Sequence, residues 1–249
     1  MSASYLSIDA IAKSFGPVHA LSGVDLSLGK GEIKCIIGPN GCGKSTLFNV
    51  ITGTLKPTAG SVRLDGREIT RLPPHEIGRL GVGRKFQVPG IMPELTAIEH
   101  IETAALARRT QGKLLPTIFG KARARDYHDI LKMAGLTEYA RKTAAELPHG
   151  IKQRLELCML AARQCDLLLL DEPTAGMTAR ETAATIELIH TINRTTGASV
   201  LVIEHDMTFV RELLCPIVVM MRGKVLIEGA YDDVKHDPEV RSAYLGAAA

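Results

Sequence analysis

Residues 38–45 read Gly38-Pro39-Asn40-Gly41-Cys42-Gly43-Lys44-Ser45, the pattern G-x-x-x-x-G-K-[ST], and few short runs restrict a fold so strongly. The pattern works only between a buried strand and a helix. Glu32 to Ile37 predicts that strand and Ser45 to Ile51 that helix. Glycines at 38, 41 and 43 let the backbone curl so that successive N–H groups point inward at phosphate oxygens, and the helix N-terminus adds its positive end. Lys44 can reach the β- and γ-phosphates of a nucleotide, and the Ser45 hydroxyl is a natural Mg²⁺ ligand. A glycine-rich strand-to-helix turn alone does not call for the Lys-Ser pair.

A phosphate-binding loop is shared by kinases, GTPases and many ATPases, so the rest of the chain must choose. The guanine-selecting N-K-x-D pattern is absent: none of Asn40, Asn49 and Asn193 is followed by the required Lys and Asp. Leu167-Leu168-Leu169-Leu170-Asp171-Glu172-Pro173 predicts a buried strand that ends in two carboxylates. Beside a phosphate loop, Asp171 holds Mg²⁺ through its shell, and Glu172, pointing differently, polarises an attacking water. Two more polar residues follow strand-like runs: His205 after residues 200–204, and Gln87 after residues 82–86. In an open α/β sheet, ligands gather at such carboxyl ends.

The 249 residues can bury about three-quarters of their unfolded surface. With 45% apolar, 23% charged and 4% aromatic residues, the composition predicts an ordinary soluble globular protein. Thirty basic against twenty-seven acidic residues give +3, which argues for no nucleic-acid partner. Arg108, Arg109, Lys113, Lys121, Arg123 and Arg125 form a local basic run, read as a solvated face ahead of contact with anionic lipid. Cys35, Cys42, Cys158, Cys165 and Cys215 show no metal-type spacing, and several lie in apolar runs; they predict buried thiols in a reducing, cytoplasmic setting. No signal-like start is present, and no apolar run approaches the roughly 18 to 20 residues of a membrane span, so a membrane role is expected to be peripheral.

Tyr5 to Leu28 alternates loosely, with turns at Gly16-Pro17 and Gly29-Lys30-Gly31, and predicts short strands at a sheet edge. Asp65-Gly66 between residues 61–64 and 67–69 predicts a hairpin. Residues 34–37, 167–170, 199–203 and 217–221 are nearly continuous apolar runs without alternation, as strands buried on both faces are, and the helical stretches between them imply a parallel sheet. The segment from about 91 to 149 has helical periodicity and no β-type run. The reading is therefore one α/β domain over 1–249, with a core of 1–90 and 150–249 and an inserted helical subdomain.

GPNGCGKST, KFQ, LPHGIKQR, LLLLDEPTAG and VIEHD, in that order, carry a resemblance to the ATP-binding subunits of ABC transporters over nearly the whole chain. The resemblance implies a RecA-like P-loop NTPase core with an antiparallel β subdomain and a helical subdomain. It implies that residues 38–46, from Gly38 to Thr46, cradle ATP, that Gln87 senses Mg²⁺ and the attacking water, and that His205 contacts the γ-phosphate. Phe15 on its own reads as a core aromatic; the resemblance implies that it stacks on adenine. GVGRKFQVPGIMPELTAIEHI, EHDMTFVREL and EGAYDDVKHDPEVRSAYLG are similar to importers for branched-chain amino acids, urea and short amides. LPHGIKQRLELCML, with AGMT after the carboxylate strand, stands closer to the urea-type members. Such systems use two different ATPase subunits, two integral membrane subunits and a periplasmic solute-binding protein, which places this chain at the cytoplasmic face of the inner membrane as half of a heterodimer.

In that family two subunits clamp two ATP molecules head to tail, each between one subunit's phosphate loop and the other's signature, usually L-S-G-G-Q. Here the signature reads Leu147-Pro148-His149-Gly150-Ile151. Pro148 removes the serine hydroxyl and a backbone donor, whereas Gly150 allows close approach and a helix from Ile151 to about Arg163 aims its positive end at the phosphate. A lost charge-assisted hydrogen bond costs about 1.5 to 3 kcal/mol, which weakens the partner's ATP site without abolishing it. Lys44, Ser45, Asp171, Glu172 and His205 are all present, so the site on this chain's own loop is expected to hydrolyse ATP. Thr178 stands where similar proteins often carry Asp or Asn. Two rivals remain: a soluble ABC ATPase without a membrane partner, and a regulatory module that closes on ATP with weak hydrolysis.

Overall fold

The computed structural model describes residues 4–85, 90–109 and 121–245. In chain order the elements are β1 (Leu6–Phe15), β2 (Val18–Leu28), β3 (Ile33–Ile37), α1 (Lys44–Ile51), β4 (Ala59–Leu64), β5 (Arg67–Glu68), α2 (Pro74–Arg79), β6 (Val82–Lys85), α3 (Ala97–Arg109) and α4 (Lys121–Met133). They continue with α5 (His149–Arg163), β7 (Leu167–Asp171), α6 (Ala179–Thr196), β8 (Ser199–Ile203), α7 (Met207–Glu212), β9 (Ile217–Met221), β10 (Lys224–Gly229), α8 (Tyr231–His236) and α9 (Pro238–Leu245).

The four apolar runs without alternation are the four inner strands of a six-stranded sheet ordered β10-β9-β3-β8-β7-β6. The sheet is parallel from β9 through β6, with β10 antiparallel at one edge. The reason for continuous apolarity is visible residue by residue. On β3, Cys35 and Ile37 enter one core and Ile36 the other; on β7, Leu168 and Leu170 face one side and Leu167 and Leu169 the other. Because both faces are covered, these strands are nearly all apolar until they end, and the exceptions, Lys34 and Ser199, are buried with hydrogen-bond partners of their own. Helices α5, α6 and α7 cover one face, while α1 and a second sheet cover the other.

That second sheet is antiparallel, ordered β2-β1-β4-β5. Its first two strands are longer than expected, 10 and 11 residues, and β1 is internal rather than at an edge, because β4 pairs along its other side with Leu6 opposite Leu64. Asp65 and Gly66 take φ of 49° and 74°, the two left-handed residues of a tight hairpin. The sheets are joined at the phosphate loop: Ser22 N–H donates to Gly223 (2.8 Å), and Gly223 N–H to Cys42 (3.0 Å). Lys34, buried on β3, donates to the Ser27 carbonyl (2.6 Å) and pairs with Glu228 (2.5 Å), tying β3 to β2 and β10.

Between β6 and β7 the described chain is helical, with an isolated antiparallel bridge between Thr96 and Thr143. Helices α3 and α4 pack on α5, which also contacts α6 and β6. The helix carrying the signature thus belongs to both layers. Four cysteines are buried and Cys215 is partly so; among the described residues all five are free thiols. Burial pushes Cys158 and Cys215 up to about 12, away from reactivity.

Candidate active site

β3, β8 and β7 are neighbours and parallel, so the segments that follow them emerge side by side at one edge of the sheet. The first is the phosphate loop. Gly43, the N-cap of α1, has φ 108°, and a Cβ there would lie 2.5 Å from the Ala20 carbonyl oxygen on β2. Only glycine fits beneath that strand. No side chain caps α1 and no acidic residue occupies its first turn, so its leading N–H groups remain for an anion. Lys44, 8% exposed, folds over the loop and donates to the carbonyls of Gly38 (2.6 Å) and Pro39 (3.1 Å). Ser45 and Asn40 are exposed, Thr46 and Pro39 partly so, and Cys42 is buried within the loop.

The second segment follows β7. Asp171, its last residue, accepts from Arg84 Nη2 at 2.9 Å. Glu172 has φ 45°, a left-handed backbone that costs a non-glycine residue about 1 kcal/mol or more. It is held there by its N–H, which donates to Ile203 at the end of β8 (2.9 Å). The twist turns the Glu172 carboxylate out of the strand's alternation and toward the third segment, where Glu172 Oε1 lies 3.4 Å from His205 Nδ1. The imidazole is exposed, on a backbone anchored by Glu204. Glu204, 2% exposed, accepts from the Thr174 hydroxyl (2.7 Å) and from His205 N–H (3.1 Å). Burial raises the Glu204 carboxyl above its ordinary range, against the pull of these donors.

Phe15 ends β1 opposite Val18, and the two are 48% and 62% exposed. An exposed apolar pair of this kind removes the core reading of Phe15, and Lys13 sits 5.1 Å from the ring centroid. Gln87 lies outside the described residues. So do the side chains of Arg108, Arg109, Lys121, Arg123 and Arg125, and Lys113 altogether.

At the signature, the helix starts two residues earlier than expected. Pro148 is the N-cap of α5, with φ −57° and ψ 155°, and its carbonyl accepts the first helical bond from Lys152 (3.0 Å). Proline fits because an N-cap needs no N–H inside the helix. Leu147 and Ile151 are buried, while Pro148 and His149 face solvent. His149 Nε2 donates to the Ala175 carbonyl (3.1 Å), tying the signature to the turn after β7. At Gly150 a Cβ would collide with the carboxyl group of Glu181, which Thr178 holds in place in a capping box at the start of α6.

Three residues escaped the sequence reading. Arg84, Lys85 and Glu156 are buried charges, and the signal for the first two was a basic pair inside a run otherwise fit for a covered strand. Glu156 on α5 accepts from Gly90 N–H (2.7 Å) and lies 3.8 Å from Lys85 Nζ, so one carboxylate meets both ends of the segment that contains Gln87.

A family model described as ABC transporter matches residues 21–175, and one described as branched-chain amino acid ATP-binding cassette transporter matches 224–249. The chain is 36% identical to the high-affinity branched-chain amino acid transport ATP-binding protein BraF of Pseudomonas aeruginosa and 35% identical to LivG of Escherichia coli, each covering 100% of both chains. Among solved structures it resembles the ADP conformation of an ATP-binding cassette of an ABC transporter, with TM-score 0.85, 30% identity and coverage of 98% of this chain and 100% of that one. It also resembles a dimeric cassette in a post-hydrolysis state with ADP and phosphate, with TM-score 0.77, 27% identity and coverage of 91% and 98%. With the phosphate loop, the carboxylates and the histidine at the ends of three adjacent parallel strands, these likenesses establish that the chain belongs to the ABC transporter ATP-binding family, in its branched-chain amino acid branch.

Proposed function

We propose that this chain hydrolyses ATP on its own phosphate loop and, as one half of a heterodimer, drives uptake of a branched-chain-type amino acid, urea or a short amide. The carrying observation is that the loop, Asp171 with Glu172, and His205 stand at the carboxyl ends of β3, β7 and β8, three neighbours of one parallel sheet. Backbone N–H groups of 38–46 bind the phosphates, Lys44 exchanges the loop carbonyls for the β- and γ-phosphates, and Phe15 offers its exposed face to adenine. Glu172 takes a proton from the attacking water as its oxygen bonds to the γ-phosphorus and the bond to the β–γ bridging oxygen breaks. His205, 3.4 Å from Glu172, steadies that carboxylate and reaches the γ-phosphate.

The donor set suits Mg²⁺: an exposed hydroxyl on Ser45 and a carboxylate on Asp171 are hard oxygens. Among the described residues no cluster of three or more His, Cys, Asp or Glu forms an all-protein metal cage, in keeping with an ion held by one or two side chains and the phosphates. Ser45, Asp171 and Gln87 are the residues that would hold it. Held there, Mg²⁺ would offset the negative charge of the nucleotide's phosphates.

Cassettes of this family work as dimers on membrane permeases. Leu147 through Ile151 then meet the partner's ATP, with the N–H groups at the start of α5 as donors in place of the missing serine. Among the described residues no helix is long and apolar enough to cross a membrane, which supports a peripheral place on the inner face, beneath two permease subunits and, indirectly, a periplasmic binding protein. The relatives' names support the amino acids, and LPHGI followed by AGMT supports urea or short amides. The test is reconstitution with the partner ATPase and permeases in liposomes, measuring ATP hydrolysis and uptake of leucine, urea and acetamide. Hydrolysis without solute-stimulated turnover for any of the three overturns the transport assignment. One observation, Pro148, favours a regulatory module instead, and steady hydrolysis by the purified chain alone decides against it.

A further inference from the structure

Arg84 stands on β6 opposite Leu169 of β7, two residues before Asp171 on the same face. Leu169 belongs to the core shared with α1, so Arg84 and Asp171 both point toward that helix. There the guanidinium lies 5.6 Å from the Phe48 ring centroid and spreads its fork: Nη2 donates to Asp171 Oδ2 at 2.9 Å, and Nη1 donates to Asn49 Oδ1 at 2.6 Å. Both partners in the ion pair are largely buried, with side chains 7% and 11% exposed. Asn49 and Ser45 are four residues apart on α1, hence on the same helix face about one turn apart. One rigid planar group therefore grips the carboxylate at the end of β7 and the helix face that carries the Ser45 hydroxyl.

We infer that Arg84 is a positioning residue for the metal site, setting the separation of Ser45 from Asp171 and leaving Asp171 Oδ1 to face the phosphates. The inference rests on the reading of Ser45 and Asp171 as Mg²⁺ ligands. It does not require Arg84 to touch nucleotide or metal. A guanidinium is required because an ammonium on a flexible stem cannot make two divergent, coplanar hydrogen bonds of fixed spacing. Mg²⁺ tolerates only near-ideal octahedral geometry, so a loosened pair of ligands lowers its affinity more than it lowers that of the phosphate loop for the nucleotide itself.

The experiment is binding of a fluorescent ATP analogue to the full chain, titrated with Mg²⁺ and repeated in EDTA, for the wild type, Arg84→Lys, Asn49→Ala and Asp171→Asn. Arg84→Lys keeps the charge and Asn49→Ala leaves the ion pair, so at least one fork is broken without exposing an unpaired buried carboxylate. The Mg²⁺ concentration that half-maximally tightens binding is expected to rise on the order of ten-fold in Arg84→Lys, the scale of a lost hydrogen bond to a charged group. It is expected to rise about three-fold in Asn49→Ala, which loses the arm of the fork to α1 while the ion pair to Asp171 stays. Affinity in EDTA stays within about two-fold, because the donors of the phosphate loop are untouched. A merely structural role would shift affinity equally with and without Mg²⁺. Curves for both variants that superpose on wild type, or that move to lower Mg²⁺, overturn the positioning role. If Asp171→Asn also leaves the curve in place, the ligand assignment itself has failed, and with it this inference.

Discussion

The two regions proposed to meet ATP, the phosphate loop and the signature, hold their polar groups in opposite ways. At the phosphate loop the reactive groups hang from the ends of buried inner strands, braced by Arg84, Glu204 and a left-handed Glu172 whose backbone is bonded to the next strand. At the signature the groups sit on an exposed helix start, braced by surface caps at Thr143 and Thr178 and by one His149 contact. A side chain rooted in the sheet cannot be changed without disturbing its neighbours. A helix start offers backbone N–H groups whatever residue precedes it, so Pro148 can replace serine and keep the helix.

The largest break in that comparison comes from Glu172. In the heterodimer proposed above, Glu172→Gln is expected to slow hydrolysis at this chain's own loop by about 10²- to 10⁴-fold, the usual worth of a positioned general base, while ATP binding is retained. Single-turnover assays with the partner's site silenced would read it, and undiminished turnover sinks the assignment.

Pro148 is next. Restoring the hydroxyl with Pro148→Ser adds a hydrogen bond to a charged phosphate and is expected to speed the partner-bound site by about ten- to a hundred-fold. Carrying Glu172→Gln in the same chain leaves only that site to be measured. No gain would mean that the N–H groups at the start of α5 already suffice, and that the two ends are equally competent.

Gly150→Ala is smaller and tests the caps. Its new Cβ pushes on the Glu181 carboxyl group, which Thr178 holds by backbone and hydroxyl, so the capping box must give. Turnover at the partner site is expected to fall about ten-fold, a loss on the scale of one cap, and to recover when Glu181→Ala is added. Failure of the second substitution to rescue the first would place the fault elsewhere than Glu181.

The same contrast explains what the sequence made legible. Where both faces of a strand are covered, burial disfavours polar residues without partners until the strand ends, so the four inner strands and the residues after them stood out by composition. Glu172 and His205 drew notice because they stand just after such runs. β1 was misplaced at an edge because pairing on its far side, by β4, leaves no local mark. Arg84, Lys85 and Glu156 were not recognised because a buried charge looks in sequence like an exposed one; only the fold shows that Arg84 meets Asn49 and Asp171. The start of α5 was set two residues late for a related reason: Pro148 was read only as a lost hydroxyl and a lost donor, though an N-cap needs no N–H inside the helix.

The finest test is electrostatic, since the two ends respond to pH with opposite sign. Backbone and hydroxyl donation from Thr178 hold the Glu181 carboxyl below its ordinary value near 4.5. The folded chain then binds fewer protons there than the unfolded one, so this contribution is present above about pH 4.5 and is lost as pH falls through the lowered value. At Glu204 burial dominates and raises the carboxyl above 4.5, so the folded chain binds more protons; stability from that group is fullest below about 4.5 and is lost as pH rises through the raised value. Thr178→Ala should therefore lower the melting temperature more near neutral pH than in acid. Glu204→Gln, which stays neutral and can still accept from Thr174, should flatten the profile by holding its stability on the neutral side, where the wild type loses some. Melting curves of both variants across the acid-to-neutral range decide it. Two profiles parallel to wild type would mean that neither carboxyl is held as its surroundings demand, and that the contrast between a sheet-rooted end and a cap-braced end stops at geometry.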